Sequence, residues 1–119
     1  MKRVLVIEAD RAIREAVVDL LAGEGYEVAE AANGVEGLRE ARARRPSLIV
    51  LDLMMPTMNG WQFREAQRQD PSLADIPVIV LSAYSDMPGP RLDEAARFAK
   101  PFDVVTLLLA IDKYAATDG

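Results

Sequence analysis

Two stretches, Leu48-Ile49-Val50-Leu51 and Val78-Ile79-Val80-Leu81, are apolar at every position. A strand with one wet face alternates apolar and polar residues; a strand apolar throughout is covered on both faces, as in a parallel sheet between two helical layers. Apolar runs and helix-period segments follow one another around these two: Val4 to Ile7 then Ile13 to Leu21, and Tyr26 to Ala31 then Val35 to Ala43. The fourth run extends from Ile76 to Leu81, a last short strand falls near Phe98, and a final helix starts at about Asp103. This order predicts an α/β chain of the (βα)₅ type, a doubly wound parallel sheet of five strands with the two unbroken runs at its centre.

Local signals set the helix ends. Asn33 with Glu36, and Asn59 with Gln62, place a capping side chain three residues before a group that can reach back. Gly25 suits the residue after the first helix, where positive φ is needed. Ile13, Ala16, Val17, Leu20 and Leu21 form one apolar stripe, with Arg14, Glu15 and Asp19 off it. Two prolines around a glycine in Met87-Pro88-Gly89-Pro90 bar a helix interior, so a fourth helix must start near Arg91 and be short. On the final helix Val104, Leu108, Ile111 and Ala115 make one apolar face, and Val105 and Leu109 begin a second that suits a contact with a partner or a second copy.

Composition narrows the chemistry. At 119 residues the chain suits one domain. The absence of cysteine rules out disulfides and thiolate metal sites and fits a cytoplasmic protein. No apolar run approaches a membrane span. With 19 acidic and 14 basic residues the chain repels polyanions on average, which argues against direct nucleic-acid binding. The absence of histidine leaves carboxylates, lysine and hydroxyls to carry any reaction.

Ligands of open parallel sheets bind at the carboxyl ends of the strands. There this chain places Glu8 and Asp10 after the first strand, Asp52 at the end of the third, Ser82 after the fourth and Lys100 after the fifth. Carboxylates can hold a divalent cation while a lysine and a hydroxyl take phosphoryl oxygens, with Asp52 as the nucleophile that forms an acyl phosphate.

The stretch Leu51-Asp52-Leu53-Met54-Met55-Pro56-Thr57-Met58-Asn59-Gly60, followed by Leu81-Ser82-Ala83 and Lys100-Pro101-Phe102, resembles the receiver domain of bacterial two-component response regulators. The resemblance covers residues 1–119, implies a flavodoxin-like, CheY-like fold with a shortened fourth helix, and leaves no output domain in the chain. It implies that Asp52 accepts a phosphoryl group, that Ser82 and Lys100 bind its oxygens, and that the Lys100-Pro101 bond is cis. It also implies that Glu8, Asp52 and the backbone carbonyl of Met54 hold Mg²⁺. Asp10 is either a further ligand or the cap of the first helix. A phosphohistidine donor must belong to another protein, a histidine kinase or phosphotransfer protein. The output is expected through a downstream protein target or a homodimer, on the face of the fourth helix, fifth strand and fifth helix. The chain is expected to be no enzyme beyond promoting its own phosphorylation and dephosphorylation.

Three positions depart from the family pattern. Ala9 stands where a second adjacent acid normally ligates the metal. Arg97 stands where an aromatic normally lies three residues before the lysine; Phe98 points to the opposite face and cannot replace it, while Tyr84 is the other nearby aromatic. The fourth helix is shortened. These departures motivate an alternative, a pseudo-receiver that binds partners without phosphorylation. A phosphatase using an aspartyl phosphate is disfavoured by Met54, where that class carries a second carboxylate. A flavin site is disfavoured by the acidic Glu8-Ala9-Asp10-Arg11 loop.

Overall fold

The computed structural model describes residues 2–83 and 92–115. Nine elements follow in order: β1 (Arg3–Ile7), α1 (Arg11–Gly23), β2 (Glu27–Ala31), α2 (Gly34–Ala43), β3 (Leu48–Asp52), α3 (Gly60–Gln69), β4 (Val78–Ser82), β5 (Ala96–Ala99) and α4 (Val104–Ala115). The strands form one parallel sheet in the order β2-β1-β3-β4-β5. β3 and β4 are buried at every residue, as their unbroken apolar runs predict. β4 starts at Val78, two residues later than the apolar run, because Pro77 has no N–H to give a ladder; its carbonyl accepts from the Ile49 N–H at 3.0 Å.

Strand alternation feeds two cores. Leu5, Ile7, Ile49 and Leu51 face Leu38 of α2 and Phe63 of α3. Val4, Val6, Val50 and Leu81 face Val17 and Leu21 of α1 and Leu107 and Ile111 of α4. The strand order turns outward in both directions from β1 and β3, so their carboxyl ends border the crevice where such sheets bind ligands.

The caps form as the sequence predicts. Asn59 accepts from the Gln62 N–H and Gln62 from the Asn59 N–H, both at 2.9 Å. Asn33 accepts from the Glu36 N–H at 3.0 Å, and Gly25 has a φ of 90°. Two faces differ from expectation. On α4 the buried side is centred on Leu107 and Ile111, while Val104 is 43% exposed and Val105 and Leu109 are 59% and 64% exposed. On α1, Arg14 is half-buried rather than a solvated side chain. No helix occupies residues 92–95, so the short fourth helix expected from Arg91 has no counterpart there; Tyr84 and the rest of 84–91 lie outside the described residues.

Candidate phosphoryl-acceptor site

Three side chains predicted to converge are in contact at the carboxyl edge of the sheet. Glu8, directly after β1, is fully buried, and Asp52, the last residue of β3, is 2% exposed. Lys100, directly after β5, brings its Nζ to 2.6 Å from Glu8 Oε1 and 3.4 Å from Asp52 Oδ1. The Lys100 N–H donates to the Ser82 carbonyl at 2.7 Å, which ties the lysine's backbone to the end of β4. Ser82 is fully buried, one residue beyond Leu81, the register partner of Asp52. The Lys100-Pro101 peptide bond is cis.

Backbone amides orient the acids. Asp52 accepts from the Met54 N–H at 3.2 Å and from the Ala9 N–H at 3.4 Å. Glu8 Oε2 accepts from the Asp10 N–H at 3.0 Å. Asp10 turns its side chain away to cap α1, accepting from the Ile13 N–H at 3.1 Å. Arg14 escaped the sequence reading: its Nη1 donates to the Glu8 carbonyl at 2.8 Å and its Nε pairs with Glu30 at 3.1 Å, pinning the loop that carries Glu8. The only signal in the sequence is its place one turn after the acidic loop, which ordinary solvation of a helix arginine also explains.

Electrostatically the site is too acidic for its own cation. Burial pushes the Glu8 carboxyl from its ordinary 4.5 up to about 7; Asp52 adds to the rise, and Lys100 and the Asp10 N–H offset it only in part. Glu8 Oε1 is buried with no aligned hydrogen bond, although the Lys100 ammonium stands beside it. Among the described residues no three acids gather as a metal cage. Two carboxylates and a carbonyl nonetheless suit Mg²⁺, which keeps several waters and takes only one or two protein carboxylates.

The loop after Asp52 is held tightly. A Cβ on Gly60 would lie 2.7 Å from Leu53 Cα and 2.8 Å from the Asp52 carbonyl, so only glycine lets α3 begin this close to the acid. Thr57, with φ 68°, is the centre of a three-residue turn closed by the Met58 N–H on the Pro56 carbonyl at 2.7 Å. Positive φ is strained for a β-branched residue.

Within β5, strand alternation separates Arg97 from Phe98. Phe98 packs on the core under α1 and α4, while Arg97 pairs with Glu94 at 2.7 Å.

The sequence model of the response regulator receiver domain matches residues 4–112. The chain belongs to this family. Receiver domains belong to two-component response regulators, so this one is a phosphorelay signalling domain. It is 36% identical over 115 residues to the DNA-binding dual master transcriptional regulator RpaA of Synechocystis, covering 93% of this chain and 48% of that protein. Against the transcriptional regulatory protein AfsQ1 of Streptomyces coelicolor it is 42% identical over 87 residues, 72% of this chain and 37% of the relative. The receiver thus spans about half or less of these curated relatives. Its fold superposes on the chemotaxis response regulator CheY4 of Vibrio cholerae with a TM-score of 0.87 at 31% identity, covering 96% of this chain and 98% of the other. Among the described residues no helix is long and apolar enough to cross a membrane.

Proposed function

We propose that Asp52 accepts a phosphoryl group from a phosphohistidine on a histidine kinase or phosphotransfer protein. The observation that carries this reading is the contact of Lys100 Nζ with both Glu8 and Asp52 at the crevice between β1 and β3. An Asp52 carboxylate oxygen attacks phosphorus, forming a P–O bond as the P–N bond breaks. The bond's electron pair stays on the imidazole nitrogen, and the product here is an acyl phosphate. Lys100 and Ser82 take charge that moves onto the phosphoryl oxygens. Glu8, Asp52 and the Met54 carbonyl would hold Mg²⁺, which when bound would supply positive charge for phosphoryl transfer.

The domain works in the cytoplasm and promotes only its own phosphorylation and dephosphorylation. The DNA binding of relatives such as RpaA belongs to proteins about twice this length or more; with a net charge of −5 the receiver itself meets proteins rather than DNA. Val105 and Leu109, exposed on α4, offer the apolar face for a downstream partner or a second copy.

Intact-mass spectrometry after incubation with acetyl phosphate and Mg²⁺ tests the reading. The expected result is one phosphoryl increment on the wild type and none on Asp52→Asn. A second reading, the pseudo-receiver, is favoured by Ala9 and by the near-complete burial of Asp52. It wins if no increment forms and Asp52→Asn keeps full partner binding.

A further inference from the structure

Arg64 of α3 is a buried charge with no part in the acceptor site; it is 9% exposed. Its Nε donates to the Leu92 carbonyl at 2.9 Å, its Nη2 to the Asp93 carbonyl at 3.2 Å and its Nη1 to Gln67 Oε1 at 2.8 Å. Gln67, fully buried, passes its own amide to the carbonyls of Leu73 and Ile76 at 2.9 and 3.1 Å. Arg68 pairs with the Asp93 carboxylate at 2.8 Å, and Arg97 pairs with Glu94 at 2.7 Å. Three arginines therefore hold three consecutive residues, Leu92, Asp93 and Glu94.

The held segment leads directly into β5. Ala95 donates to the Val78 carbonyl at 2.8 Å and opens a ladder of only four residues. β5 is an edge strand, bonded to β4 alone, and a short edge strand has little to fix its own position. The residue directly after its far end is Lys100, whose ammonium must sit within a fraction of an ångström of its working place to meet a phosphoryl oxygen. An apolar side chain at position 64 would also fill buried space. What the guanidinium adds is direction, since its planar fork fixes the two carbonyls it meets.

We infer that Arg64 is a positioning residue for Lys100: by holding the Leu92 and Asp93 carbonyls it sets the start of β5, and through that strand the place of the lysine against Glu8 and Asp52. The inference rests on the proposed role of Lys100 at a phosphoryl site.

Full-chain wild type, Arg64→Met and Arg64→Lys are to be compared by amide hydrogen exchange and by titration with beryllofluoride in Mg²⁺, a phosphoryl analogue. In Arg64→Met, exchange across residues 95–99 should rise about tenfold beyond the rise that the loss of global stability gives β1 and β3. Beryllofluoride affinity should fall about tenfold, with Arg64→Lys in between. A purely structural role would lower the urea midpoint but leave affinity intact, and that result overturns the inference, as does unchanged exchange at 95–99. Should Arg64→Met not fold, Arg64→Lys decides: faster exchange in β5 with weaker affinity supports the inference, and wild-type values of either overturn it. If the wild type binds no beryllofluoride, the acceptor reading fails by itself, and the exchange comparison still decides whether Arg64 sets β5.

Discussion

Among the described residues charge is buried in two places, and the two are built on opposite terms. At the acceptor site, two carboxylates share one lysine, and Glu8 Oε1 is left without an aligned hydrogen bond. Under α3, Arg64 gives its guanidinium hydrogens to two backbone carbonyls and to Gln67 Oε1, and Gln67 gives its amide hydrogens to two further carbonyls. A satisfied network fixes structure, whereas an unsatisfied one keeps a deficit that a ligand can fill. The backbone differs in the same sense. Thr57 near Asp52 is forced to positive φ, while in the clamp positive φ falls to Asp93, a residue type that tolerates it.

The largest stability effect should come from breaking the satisfied network. Arg64→Met leaves the Leu92 and Asp93 carbonyls without their donor and should lower unfolding free energy by about 2–3 kcal/mol, read from urea denaturation. A loss under about 0.5 kcal/mol would mean the clamp holds nothing.

The acidic site should respond to pH instead. Glu8 binds its proton more tightly folded than unfolded, so between pH 4.5 and about 7 the folded chain carries more protons and stability falls as pH rises. Glu8→Gln removes that part of the decline, and the gap between the two urea midpoint curves should close toward the acid end of the window. Parallel curves would deny that Glu8 is perturbed. Supplying the carboxylate missing at Ala9 sharpens the same point: Ala9→Asp should raise Mg²⁺ affinity about tenfold, near 1.4 kcal/mol, in a calorimetric titration. No gain would mean that another ligand already fills the role.

The smallest effect separates the two turns. Thr57→Gly should stabilise by about 1 kcal/mol as its strain is released. Asp93→Gly should not, because it gives up the pair with Arg68. Equal shifts in urea midpoint would erase the distinction.

How far each region was legible follows from where its partners lie in the chain. The central strands are written in unbroken apolar runs, and Glu8, Asp52 and Lys100 each stand at or one residue past the end of a strand, so topology alone brings them together. Asp10 left two readings open in the sequence; the Ile13 N–H takes it as a cap. The clamp was not legible, because Arg64 finds its acceptors 28 and 29 residues later, in carbonyls that any residue would present. The one available cue is spacing: Gly60, Phe63, Arg64 and Gln67 share the buried face of α3, and a polar pair there demands partners. On α4 the apolar residues go nearly all round, so periodicity could not choose Leu107 over Val104 as the buried centre.

The contrast is tested most directly at Glu8, by carbon-detected NMR titration of its side-chain carboxyl with and without Mg²⁺. The midpoint should lie near 7 in the metal-free receiver and shift clearly downward when Mg²⁺ is present, since cation and proton compete for one carboxylate. A midpoint near the ordinary 4.5, unmoved by Mg²⁺, would contradict it.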